Sequence, residues 1–289
     1  MVFIFLMIKK RTFYYGKLKW EYSIYVTNNY ISRLLIKDND MRYPLIKPKY
    51  YFTLFKELID FIKKPKNEKN LEKSVRLKIY DTIGLYFLKF ILLIPVILFF
   101  ALVYDPENVQ KVNMSERFSP LALLIVGGII LPLIEEVAFR LSLRFKPIYV
   151  ALSSGVFSYY VLTKLVFQTK ISAVDESFLI RAVIAIALGI LLYLVVNSTS
   201  LKEKLANFWR THFRSIYYVS CVCFAWIHIT KYELNWTNIL LLPILTLPQL
   251  MSALIYGYIR VSFGFRYPLF FHMSNNLLAI SLSLLPFTG

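Results

Sequence analysis

Three short stretches carry the polar chemistry of this chain: LPLIEEVAFR (131–140), FAWIH (224–228) and HMSNN (272–276). Each sits in an otherwise apolar run. An ionisable side chain at membrane depth is costly, so it marks either a function or a paired charge. On a helix, Glu136 and Arg140 are four residues apart, share a face and can pair. Glu135 points roughly 100° away from Glu136. One glutamate can therefore be held by Arg140 while the other faces a cavity. Phe224 and His228 share a face by the same spacing, and so do His272 and Asn276. The remaining histidine, His212, lies between Arg210 and Arg214 in a basic loop and reads as solvated.

Taken singly, each group has a plain structural reading. Glu136 with Arg140 is a buried ion pair, and a lone membrane histidine is a helix–helix hydrogen bond. Together, two Glu, an Arg, two His and an Asn in three apolar runs point to a site. Glu135 lies roughly 16 Å of helix from the basic end near Lys146, His228 roughly 20 Å into its run, and His272 roughly 9 Å beyond Arg266. All three fall in the inner to middle part of an apolar core about 30 Å thick. They can meet in a cavity open to the cytoplasm if a helix tilts or kinks. Glu135, His228 and His272 are also a possible Zn²⁺ set, although no HExxH is present. A relay of Glu135 and the histidines would suit a proton-coupled transporter, but no inverted repeat is evident. Cys221, seven residues before His228, reads as a buried apolar thiol.

The elements that must position these residues are apolar helices. Of 289 residues, 57% are hydrophobic, and the mean hydropathy is +0.56. That is the profile of a polytopic membrane protein, not of a soluble domain. A span needs roughly 20 apolar residues. Candidates lie at 84–104, 120–144, 147–168, 178–197, 215–230, 237–258 and 267–287. The fifth is short, and the sixth holds Pro243 and Pro248, which predict a kink. The expectation is an all-α bundle of seven to eight transmembrane helices.

The net charge of +17 would suggest nucleic-acid binding in a soluble protein. Here the basic residues flank apolar runs, which assigns them to membrane orientation, and no nucleic-acid motif is present. Lys/Arg-rich and Lys/Arg-poor loops alternate, placing the N-terminus in the cytoplasm. Residues 1–83 form a basic, aromatic-rich region at the cytoplasmic membrane surface, and residues 84–289 the transmembrane domain. Within the first part, Phe55, Leu58, Ile59 and Ile62 have amphipathic helical spacing, and residues 63–73 read as a linker. Residues 1–8, MVFIFLMI, are too short to span. They read as an interfacial anchor or as an artefact of the start codon. Cys221 and Cys223 are too close in sequence for a disulfide framework.

The three motifs resemble those of the CPBP family, the CAAX proteases and bacteriocin-processing enzymes. Its pattern is EExxxR, then FxxxH, then HxxxN, each on a membrane helix. EEVAFR, FAWIH and HMSNN match it in order and residue type, and the likeness covers about 120–280. The gap between the first two motifs holds two apolar runs, 147–168 and 178–197, where the family usually has one helix. The resemblance implies an intramembrane endopeptidase. Glu135 would be the general base that activates water, and His228 would share or orient that water. His272 and Asn276 would stabilise the oxyanion, with Glu136, Arg140 and Phe224 in support. A carboxyl in an apolar cavity is tuned toward such a role. The reading favours metal-independent glutamate catalysis with no cofactor, Zn²⁺ being the alternative. The implied partners are a membrane-protein or lipidated-peptide substrate and the bilayer. A non-catalytic immunity or scaffold protein on the same fold is the competing reading.

Overall fold

The computed structural model describes residues 44–285. The expected anchor at residues 1–8, and most of the basic region before residue 44, lie outside the described residues. A short 3₁₀ turn, Pro44–Ile46, belongs to a separate unit ending at Lys47. From Pro48 onward the chain is one helical body, with no strand among the described residues.

Its helices are α1 (Pro48–Lys63), α2 (Val75–Leu102), α3 (Val109–Arg117), α4 (Pro120–Leu143), α5 (Pro147–Val166), α6 (Phe178–Val196), α7 (Thr199–Thr211), α8 (Phe213–Trp226), α9 (Trp236–Leu240), α10 (Leu242–Leu245), α11 (Leu247–Ser262) and α12 (Arg266–Leu284). Local chemistry sets several starts. The Ser74 hydroxyl accepts from the Leu77 amide, and Ser119 caps α4 just before Pro120. A side-chain oxygen there satisfies one of the orphan amides of the first turn.

Among the described residues, four helices are long and apolar enough to cross a membrane: α2, α4, α5 and α6. Between 17% and 33% of each apolar stretch is buried within the chain. The remaining apolar surface therefore needs a non-aqueous neighbour, which points to a membrane protein. The other three candidate runs have a different form. Residues 215–230 hold α8, an α-helix of 14 residues that passes into a 3₁₀ segment at Ile227–Lys231. Residues 237–258 break into α9, α10 and the start of α11, with prolines in the first turns of α10 and α11. Proline lacks the amide that a helix interior requires, so it starts helices and interrupts them. The last run, α12, is a continuous helix of 19 residues with His272, Asn275 and Asn276 in its middle.

The amphipathic segment forms α1, which buries Leu54 and Leu58. Leu58 packs with Leu85 and Leu88 of α2 and with Ile255, Tyr256 and Ile259 of α11. Helix α2 runs unbroken through residues 83 and 84, so residues 48–83 and the apolar bundle share one core. Lys73 fastens this corner, pairing with Glu57 and, at 2.7 Å, with Asp81. Asp81 also accepts from the Tyr50 hydroxyl at 2.6 Å. Burial pushes the Lys73 ammonium down, but Asp81 and then Glu57 outweigh it and leave it above its ordinary 10.5. A raised pKa contributes stability that is complete below the unfolded value and is lost as pH rises through the folded one. The thermal midpoint of Lys73→Met should therefore converge on that of the wild type as pH climbs past about 10.5. A gap that stays constant to higher pH would show that the ion pairs contribute nothing.

Helices α5 and α6 form a close hairpin. A Cβ built on Gly155 would stand 3.2 Å from the Ala185 carbonyl oxygen and 3.5 Å from the Gly189 Cα. Backbones meet here because neither helix carries a side chain at the crossing, the packing favoured between membrane helices. Gly155→Leu should cost about 1–3 kcal/mol by overpacking, read as a lowered thermal midpoint in detergent micelles. Unchanged melting would mean that the hairpin is loosely packed. At its far end, Arg181 is fully buried and donates to Thr163 (3.1 Å), the Ala173 carbonyl (3.0 Å) and Asp175 (2.9 Å). Asp175 is held down at about 2 by the Ser177 and Thr169 hydroxyls, with Arg181 adding to them.

Candidate active site

The first motif lies on α4 just after a break in its hydrogen-bond ladder. Val126–Ile130 is a π-helical turn, VGGII. Such turns displace backbone groups from their α-helical partners and occur often at functional sites. Asn276 of α12 donates its Nδ2 to the Gly127 carbonyl oxygen at 3.2 Å. The glycines also let α12 approach: a Cβ on Gly128 would fall 2.5 Å from Leu277 Cδ2, and one on Gly127 2.9 Å from Ile280 Cδ1. Gly127 meets Asn276 and Glu136 meets His272, so the two helices run antiparallel.

The C-terminal end of α4 is gripped from three sides. Ser153 of α5 donates to the Val137 carbonyl, Ser220 of α8 to that of Phe139, and Arg260 of α11 to those of Arg140 and Leu141. The last carbonyls of a helix have no intrahelical partner. Here neighbouring helices satisfy them and fix the segment that carries the glutamates.

Glu136 is fully buried and Arg140 is 1% exposed. Arg140 Nη1 lies 3.3 Å from Glu136 Oε1, an ion-pair contact without hydrogen-bond alignment. The guanidinium also stacks on Phe224, its Cζ 3.5 Å from the ring centroid. That contact offsets part of the cost of burying the cation. His272 then bridges the two acids. Its Nδ1 lies 3.0 Å from Glu136 Oε1, and its Nε2 lies 3.6 Å from Glu135 Oε2. Sequence spacing pairs Glu136 with Arg140 and turns Glu135 to a cavity, whereas the fold brings one imidazole to both. The reason is that α12 crosses α4 at the glycine turn, and its histidine lands between the acids.

This arrangement constrains the protons. Glu136, paired with Arg140, accepts, so His272 Nδ1 donates to it. A neutral imidazole has one N–H and one lone pair. In the neutral ring the Nε2 lone pair therefore faces Glu135 Oε2. The Glu135 side chain is 19% exposed, so this dyad is the part of the cluster open to an incoming molecule.

His228 stands beside the cluster, in the 3₁₀ turn after α8. Its ring centroid is 4.6 Å from Phe224, and Phe224 is 6.1 Å from His272, so one phenyl ring contacts both histidines. His228 Nδ1 donates to the Phe224 carbonyl at 2.6 Å. That leaves Nε2 as an acceptor for a water or substrate proton. Glu135, Glu136, Arg140 and His272 are thus in direct contact, and Phe224 joins them through Arg140. Asn276 is tied to the backbone of α4, and His228 makes no hydrogen bond to either glutamate among the described residues.

The fold adds groups that the motifs do not contain. The Tyr256 ring lies 5.1 Å from His272. Lys89 of α2 is 3% exposed, donates to Asn275 Oδ1 at 2.7 Å and lies over the Tyr256 and Phe271 rings. Its position was legible: LYFLKFILL places one lysine in an apolar run, by the rule that singled out the glutamates. Tyr256 carried no such signal among 21 tyrosines. Cys221, buried at 3%, packs with Tyr217 and Phe224 in the core, and neither cysteine is bridged.

Among the described residues no three His, Cys, Asp or Glu side chains form a set able to hold a metal ion. Both nitrogens of His272 face carboxylates, and His228 turns its Nδ1 to the Phe224 carbonyl of its own helix. No protein-family model, curated protein or solved structure matches the chain.

Proposed function

We propose that this chain is an intramembrane endopeptidase of the CPBP type, with Glu135 as general base. The observation that carries the reading is His272 set between two glutamates, one pinned by Arg140 and the other partly open. Glu135 takes a proton from water as the water oxygen bonds to the peptide carbonyl carbon. His272 shares that proton, and the pair returns it to the leaving amine when the C–N bond breaks. The fixed negative charge of Glu136 beside Arg140 keeps His272 oriented throughout. His228 Nε2 accepts from the same water. In this reading α2, α4, α5 and α6 cross the bilayer, and the shorter runs complete seven to eight passes. The N-terminus and the site's opening face the cytoplasm, and the substrate is a membrane protein or a lipidated peptide.

Comparison of new peptide termini in membranes holding the wild type and in membranes holding Glu135→Gln tests it. Termini that depend on Glu135 and persist with a chelator are the expected result. Identical peptide profiles would end the protease reading and favour a non-catalytic role.

A further inference from the structure

Lys89 of α2 stands outside the three motifs, yet a line of amides joins it to the last of them. Its Nζ donates to Asn275 Oδ1 at 2.7 Å and, at 3.5 Å, to the Tyr256 hydroxyl. Asn275 Nδ2 donates to Asn276 Oδ1 at 3.5 Å, and Asn276 Nδ2 donates to the Gly127 carbonyl at 3.2 Å. Both ends force the direction of this line. An ammonium has donors only, so Asn275 turns its oxygen to Lys89 and its nitrogen to Asn276. At the other end, the π turn pairs the Leu131 amide with the Val126 carbonyl, and the same pattern would pair Gly127 with Pro132. Proline has no amide hydrogen. The Gly127 carbonyl is therefore left to a side-chain donor, and Asn276 turns its nitrogen there.

Asn276 is thus held at its oxygen and at one N–H, and its second N–H is uncommitted among the described residues. The residue is half-buried. The resemblance gives Asn276 the oxyanion, and this second N–H is the donor able to serve it. Lys89 itself is 3% exposed and lies over the Phe90, Tyr256 and Phe271 rings. The rings offset part of the cost of burying a cation, but they do not call for one. Its charge polarises the amides beyond it, and each bond in such a line strengthens the next.

We propose that Lys89 is a positioning residue for peptide hydrolysis: through Asn275 it fixes Asn276 with one N–H aimed at the scissile carbonyl oxygen. The inference rests on the endopeptidase reading. Without the ammonium, Asn275 is free to flip and offer its oxygen to Asn276 Nδ2, drawing that group off its donor geometry.

Full-length wild type, Glu135→Gln, Lys89→Met, Asn275→Asp, Asn276→Ala and the double variant Lys89→Met with Asn276→Ala are compared in proteoliposomes. New termini on membrane peptides are counted by mass spectrometry, and the fastest-cleaved peptide is resynthesised for kinetics. Asn276→Ala should lower kcat by about 10²–10³-fold, the loss typical of one oxyanion donor. Lys89→Met should lower kcat by about 10–10²-fold, the scale of a misplaced group. Asn275→Asp should do the same, because it keeps the contact with Lys89 but has no N–H for Asn276. KM should stay within about threefold in each, since the ground-state carbonyl gains little from the bond. The double variant should be no slower than Asn276→Ala, because Lys89 then has nothing to act through. Full-rate cleavage by Lys89→Met or by Asn275→Asp overturns this inference alone. So do losses that multiply in the double variant, which would make Lys89 independent of Asn276. A rate loss that comes with a lowered thermal midpoint in Asn275→Asp assigns the line a structural role and overturns it too. If Lys89→Met does not fold, Asn275→Asp decides by the same readings. Absence of Glu135-dependent cleavage in the wild type removes the endopeptidase reading and this inference with it.

Discussion

Glu135→Gln should lower peptide-bond cleavage by about 10²–10⁴-fold, the span associated with losing a positioned general base. The amide matches the carboxylate in size but cannot take a proton from water. It also alters the contact with His272, whose Nε2 sits 3.6 Å from Glu135 Oε2. Folding should be nearly untouched. Glu135 is the partly exposed member of the pair, and the ion pair that anchors the cluster belongs to Glu136. The informative measurement is therefore a contrast, with activity falling and the thermal midpoint constant. A variant that cleaves at the wild-type rate would show that Glu135 is not the base.

Arg140→Ala should have the opposite profile, with stability falling by about 3–5 kcal/mol, as when one partner of a buried ion pair is removed. Three losses combine. The fully buried Glu136 carboxylate loses its ion-pair partner and keeps the His272 contact. The stack on Phe224 is lost. The space vacated by one of the largest fully buried side chains in the chain is left unfilled. Thermal denaturation in micelles measures the effect. The double variant Arg140→Leu with Glu136→Leu separates charge from packing, because replacing both members of a buried pair by apolar groups is often close to neutral. It should regain most of the stability and none of the activity. If Arg140→Ala melts with the wild type, the pair is solvated and the proton assignment for His272 fails with it.

The amino-acid sequence by itself determined the all-helical character of the described residues and the apolar stretches that became α2, α4, α5 and α6. It also determined which polar residues share a face. Glu136 meets Arg140 because a helix turns 3.6 residues at a time, and α1 buries Leu54 and Leu58 because their spacing makes one stripe. These are properties of single helices, fixed by local geometry. The breaks after Trp226 and around Leu241 were only partly legible: the prolines marked the second, and nothing marked the first.

What only the tertiary structure decided is the meeting of helices. His272 reaches Glu136 across 136 residues of chain. The register between α4 and α12 is set by Gly127 and Gly128, by the π turn that carries them and by Asn276 on its carbonyl. Periodicity carries no information about that register, because it describes one helix at a time. Lys89 beside Asn275, and Tyr256 beside His272, come from helices outside the three motifs. Their places follow from how side chains of different helices fill a common space, a property of the packed bundle and not of any segment within it.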